Sequence, residues 1–123
     1  MRRIKITAGE ICATAILNDS KTADAVWNAL PIKARVNTWG DEIYFAIPVN
    51  PPEAGDASDV VEMGTLAFWP PGRAFCIFFG PTPASQGNEI RAASAVNSFG
   101  SIEKDAAVFK AVPHGETIII EKN

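Results

Sequence analysis

Residues 66–79 read Leu-Ala-Phe-Trp-Pro-Pro-Gly-Arg-Ala-Phe-Cys-Ile-Phe-Phe, two apolar runs separated by a turn. Leu66 to Trp69 is strand-sized and is stopped by Pro70-Pro71-Gly72, because proline cannot donate to a ladder and glycine bends the chain. Ala74 to Phe79 is the most apolar stretch of the chain, of strand length and rich in aromatic and β-branched residues. Side chains alternate along a strand, which places Phe75, Ile77 and Phe79 on one face and Cys76 and Phe78 on the other. Both faces are apolar, so both need cover. Either a helix and loops bury the outer face, or one face lines a pocket or a partner interface.

Outward from this pair, the same short strands recur. Residues 2–8 alternate, with Ile4, Ile6 and Ala8 opposite Arg3, Lys5 and Thr7. Gly9-Glu10 turns the chain into Ile11 to Leu17. Asn18-Asp19-Ser20 is turn chemistry and a helix start, with Ser20 placed to cap a helix over Lys21–Leu30. There Ala23, Val26, Trp27 and Leu30 form one apolar stripe before Pro31 ends it. Ile32–Thr38 and Glu42–Val49 are strands joined through Trp39-Gly40-Asp41. A loop over 50–58 precedes a short strand at Val60-Val61-Met63, and a second loop runs from Gly80 to Asn88. Ala95–Ile102 predicts a strand, Lys104–Ala111 a short second helix, and Thr117–Glu121 a closing strand. About eight short strands with hairpin-scale connections predict a mainly β chain: a closed antiparallel barrel whose ends two short helices plug, with no edge left exposed.

The composition bounds the function. At 123 residues the chain suits one domain, 1–123. Hydrophobic residues make up 47% and charged ones 20%, enough for a packed core without staples or metal. The net charge is -3 and the basic residues are scattered, which argues against nucleic acid as a partner. No stretch approaches the roughly 18 apolar residues of a membrane helix, and the charges in Ile4–Glu10 break any secretory leader pattern, so a soluble cytoplasmic protein is expected. Cys12 and Cys76 read as buried, reduced thiols. With one histidine and two distant cysteines, neither a metal nor a cofactor is expected. The loops that anchor nucleotides, zinc proteases or α/β-hydrolases have no counterpart.

Several segments are similar to a known family. Asn37-Thr38-Trp39-Gly40-Asp41-Glu42-Ile43-Tyr44-Phe45, Phe68-Trp69-Pro70-Pro71-Gly72, Cys76-Ile77-Phe78-Phe79-Gly80 with Thr82-Pro83, and Ala93-Ser94-Ala95-Val96-Asn97 resemble the small cyclophilin-like proteins of bacteria and archaea, over nearly the whole chain. The resemblance implies a cyclophilin-like barrel of minimal size and no settled activity. Compared with the peptidyl-prolyl isomerases, Lys21-Thr22-Ala23 and Ala29-Leu30 resemble the first cyclophilin helix, and Arg35 stands where those enzymes carry their catalytic arginine. The enzymes continue to a Gln-Gly-Gly segment where this chain turns at Trp39-Gly40, and Gln86-Gly87 lies in another loop. Their late tryptophan and histidine have no clear counterpart.

Two chemistries follow. Isomerising an Xaa-Pro bond crosses a barrier of roughly 18–20 kcal/mol and needs an apolar cup for the ring and a donor aimed at the proline nitrogen. Arg35 is the candidate donor, with a solvated strand arginine as the alternative, and Tyr44, Phe78 and Phe79 are the candidate cup. The other chemistry is binding. Trp39, Tyr44, Phe68, Trp69, Phe75, Phe78 and Phe79 crowd the middle third of a chain that is 9% aromatic. Asn37, Thr82, Ser85, Ser94 and Asn97 are neutral polar groups of the kind that orient a ligand among aromatics, or that cap turns. The leading expectation is a pocket for a small molecule or a proline-containing peptide, built from Asn37, Trp39, Tyr44, Phe78, Phe79, Thr82, Ser94 and Asn97. An aromatic surface that forms a homodimer is a third reading. Asp41 and Glu42 point to opposite faces of a strand and read as turn and surface charges.

Overall fold

Alternation along the strands becomes ladder register in the computed structural model, which describes residues 2–123. The strands are β1 (Arg3–Ala8), β2 (Ile11–Leu17), β3 (Ile32–Arg35), β4 (Asn37–Thr38), β5 (Glu42–Ala46), β6 (Ser58–Val61), β7 (Thr65–Trp69), β8 (Ala74–Phe78), β9 (Ile90–Ile102) and β10 (Thr117–Lys122). Helix α1 spans Lys21–Ala29, and 3₁₀ segments occupy Pro70–Gly72 and Ala106–Ala111. Every strand pairing is antiparallel, and the β1–β2, β4–β5 and β7–β8 pairs are joined by the short turns this geometry allows.

The expected closed barrel of about eight strands is corrected on both counts. Ten strands form one sheet in the order β3-β10-β1-β2-β9-β7-β8-β5-β4, with β6 paired to β9 off that path. Its ends, β3 and β4, share no ladder and follow one another in the chain through Val36. The extra strand there arises because Val36 turns its backbone to a loop: its N–H donates to the Glu116 carbonyl at 2.9 Å and its own carbonyl accepts from Gly115 at 2.7 Å. The second predicted helix is the 3₁₀ segment. There the Asp105 carboxylate accepts from Ala107 N–H at 2.9 Å, a local bond that favours a tight turn.

Helix α1 follows its sequence signals. Ser20 Oγ accepts from the Ala23 N–H at 3.1 Å, and the stripe of Ala23, Val26, Trp27 and Leu30 packs on the sheet. On that inner face Phe75 stacks on Phe45 at 5.0 Å between centroids and meets Phe99 edge-on at 5.0 Å. These arrangements suit ring quadrupoles and fill the centre of the core. A second apolar layer forms on the other face of β7, β8 and β9 from Ala67, Ala74, Cys76, Phe78, Ile90, Ala92 and Val96. Of the two cysteines, Cys76 is buried in this layer, whereas Cys12 is exposed on β2, contrary to expectation. Cys12 pairs with Thr7, on the face of β1 that turns away from the core residues Ile4, Ile6 and Ala8.

Candidate functional site

The outer layer is not fully covered, and a pocket of about 280 Å³ opens on it. Three aromatic side chains wall it: Trp39 from the β4–β5 turn, Tyr44 from β5 and Trp69 from the end of β7. Ala92, Ala93 and Val96 of β9 complete the wall, and their small side chains leave the space that larger residues would fill. Glu42 is the only ionisable carboxylate of the lining.

Strand parity explains why these groups converge. Glu42 and Tyr44 are two residues apart on β5 and so share a face. Opposite them in register on β8 lie Phe78 and Cys76, and Cys76 in turn faces Ala67 of β7. The turn that carries Trp39 is held tightly: Trp39 N–H donates to the Glu42 carbonyl at 3.0 Å, and Asp41 N–H donates to Pro81 at 2.9 Å. Gly40 at its bend has φ +61, and a Cβ there would lie 2.8 Å from Pro83 Cδ and 2.9 Å from Thr82 Cα. Glycine is required on both grounds.

The polar groups pin the walls. Trp69 Nε1–H donates to Ser94 Oγ at 2.7 Å, which fixes one indole across β7 and β9. Asn37 pairs with Tyr44 and donates to its carbonyl at 3.3 Å. Glu42 is 6% exposed, and burial pushes its carboxyl up to about 7, while the neighbouring Cys76 thiol pulls more weakly the other way. Burial, and then the nearby Glu42, push the Cys76 thiol well above its usual range, so the thiol stays neutral.

The structure brings together only part of the predicted set. Trp39 and Tyr44 line the pocket, and Asn37 and Ser94 hold its walls. Phe78 is fully buried in the outer layer rather than presented at the pocket. Phe79 is corrected to the inner core, where it packs 6.2 Å from Phe109. Thr82 is a loop fastener, with its hydroxyl bonded to the Arg91 carbonyl and its N–H to Ser85 Oγ at 2.9 Å. Asn97 is likewise scaffolding, 1% exposed, donating to Thr22 Oγ1 and the Pro52 carbonyl and accepting from Ala54 N–H. Arg35 is exposed on β3 opposite Thr117 and is not part of this lining.

Sequence reasoning missed Glu42, Trp69 and the small residues of β9 as lining. The signal for Glu42 was its parity with Tyr44; an acid after Gly-Asp otherwise looks like part of a turn.

A ten-stranded antiparallel sheet carrying one helix, with a walled pocket on its outer face, defines a minimal cyclophilin-type protein. The chain belongs to the cyclophilin-like family, whose model matches residues 2–121. It is similar to the hypothetical protein AF2241 from Archaeoglobus fulgidus, known from a solution structure, at 39% identity and a TM-score of 0.84, over 99% of this chain and 95% of that one. It also shares the fold of McbB, whose structure was solved in complex with tryptophan, at 16% identity and a TM-score of 0.76, over 98% of this chain but 44% of that one. No curated protein matches the chain. Among the described residues, no helix is long and apolar enough to cross a membrane, and no group of three or more His, Cys, Asp or Glu is placed to hold a metal ion.

Proposed function

We propose that this protein binds a small, flat, largely apolar molecule in the pocket walled by Trp39, Tyr44 and Trp69. The observation that carries the reading is the pinned indole of Trp69. A half-buried tryptophan held by a 2.7 Å bond to Ser94, lining one pocket together with a second indole and small residues of β9, is organised before anything enters. Such preorganisation lowers the ordering cost of binding. The volume of about 280 Å³ lies at the small end for ligand pockets, which favours one ring system over a peptide.

The test is a saturation-transfer NMR screen of small aromatic compounds against the wild-type chain and against Ala93→Trp, which fills the pocket from its exposed rim. Saturable signals that vanish in the filled variant support the reading. Signals that persist unchanged in that variant, or a screen without saturable signals, would overturn it.

A further inference from the structure

Resting on that binding reading, we infer that the occupant carries a protonated amine, which pairs with Glu42 while its apolar body lies between the aromatic walls. Three observations converge on this chemistry.

The first is the isolation of Glu42. The ion pairs among the described residues join Arg2 to Asp24, Arg3 to Glu103, Arg91 to Asp59 and Glu89, and Lys110 to Asp41. None reaches Glu42, although it is 6% exposed and lines the pocket. The neighbouring Cys76 is a weak donor whose thiol bonds the Ala74 carbonyl at 3.8 Å, so the carboxylate's accepting capacity stays open. Buried acids are normally paired, and the open side of this one is the pocket.

The second is the character of the walls. Tyrosine and tryptophan faces are electron-rich and attract cations, so they and the carboxylate select the same sign of charge. An anionic ligand would meet repulsion from both.

The third is the lack of a metal-ligand set. Calcium takes six to eight oxygen ligands and structural zinc four ligands, whereas here no group of three or more His, Cys, Asp or Glu gathers among the described residues. An organic ammonium, with three N–H donors and an apolar stem, needs a single carboxylate and apolar cover. A bound ammonium would also favour the charged form of Glu42, which burial disfavours in the empty pocket.

The experiment is titration calorimetry with 2-phenylethylamine, 2-phenylethanol and 3-phenylpropanoate, which share a ring and differ in the charge of the tail. At about pH 8, the amine is expected to bind the wild type at least about tenfold more tightly than the alcohol, the scale of one charge-assisted hydrogen bond, and the carboxylate more weakly than either. The amine's advantage shrinks as the pH is lowered through Glu42's titration, and binding near pH 7 releases a proton from Glu42 to the buffer. In Glu42→Gln the preference for amine over alcohol collapses to within about twofold. Equal affinity of amine and alcohol for the wild type would overturn the inference while leaving the pocket reading intact. Failure of all three probes to bind would remove both. An amine preference that survives both Glu42→Gln and acidification would also overturn it, because the selectivity would then come from another group.

Discussion

Glu42 stands directly across from Phe78 in the antiparallel β5–β8 pair, an acid beside an aromatic ring on a buried face. This neighbourhood costs stability whenever the carboxyl is charged, and the cost depends on pH.

The native carboxyl titrates at about 7 rather than 4.5, so between those values the folded chain holds more protons than the unfolded one. Stability therefore falls as pH rises through this window. The full gap corresponds to about 3 kcal/mol. Urea midpoints should show roughly 2 kcal/mol less stability at about pH 8.5 than at pH 5.5. Glu42→Gln should remove most of this difference and be the more stable protein at the alkaline end. A wild type that gains stability on going alkaline, with the variant following it, would contradict the assignment. Glu89 and Glu103 have their carboxyls held below the usual range by hydrogen bonds, chiefly to Arg91 and Thr14 respectively, and both lose that support only in more acidic solution.

Ser94→Ala deletes the acceptor that pins Trp69. The loss of one hydrogen bond at a solvent-accessible position should cost about 1 kcal/mol of stability or less. Ligand affinity should fall several-fold because the indole must now be ordered on binding, and Ser94→Thr should restore it. Equal affinity of Ser94→Ala and wild type would show that the bond does not prepare the pocket.

Gly40→Ala places a Cβ against Pro83 and Thr82 at a backbone with φ +61. The left-handed conformation alone costs about 1–2 kcal/mol for a residue with a side chain, and the steric contact adds to it. The turn positions both Trp39 and Glu42, so a fall in melting temperature together with weakened binding is expected. Calorimetry and titration of the same preparation check the two effects.

Asn97→Ala separates scaffold from site. Removing this side chain leaves the Ala54 N–H and the Pro52 carbonyl without a partner and unties residues 52–54 from β9 and α1. Destabilisation of roughly 2–4 kcal/mol and faster amide exchange in that loop are expected, with the relative affinities of different ligands unchanged. Altered ligand selectivity would instead return Asn97 to the pocket.

Much of this architecture is written locally. The Ser20 cap, the Ala23–Leu30 stripe and the alternation of Phe75, Ile77 and Phe79 against Cys76 and Phe78 depend on neighbours a few residues away, and each appears in the structure as read. The position of Ile90–Ser94 at the start of β9 was hidden by the turn residues before it, because its pairing with β6 is a long-range property. The open path from β3 to β4 depends on where Val36 directs its backbone bonds, which no periodicity encodes. Glu42 shows the same limit: its parity with Tyr44 was visible, but its burial required knowing that β7, β8 and β9 would form a second apolar layer around it. Phe79, Thr82 and Asn97 have the residue types of a binding site, yet which face each one occupies was decided by the strands they pack against.

The three tryptophans allow a direct test of the pocket. Trp39 and Trp69 wall it, whereas Trp27 packs on the inner core beneath Lys122 and Arg2, at 4.8 and 5.7 Å from its ring. In a two-dimensional nitrogen–proton NMR titration with 2-phenylethylamine, the indole resonances of Trp39 and Trp69 are predicted to shift saturably along one binding curve while that of Trp27 stays fixed. Unmoved resonances of Trp39 and Trp69 at saturating amine, or a shift of Trp27 as large as theirs, would contradict the account.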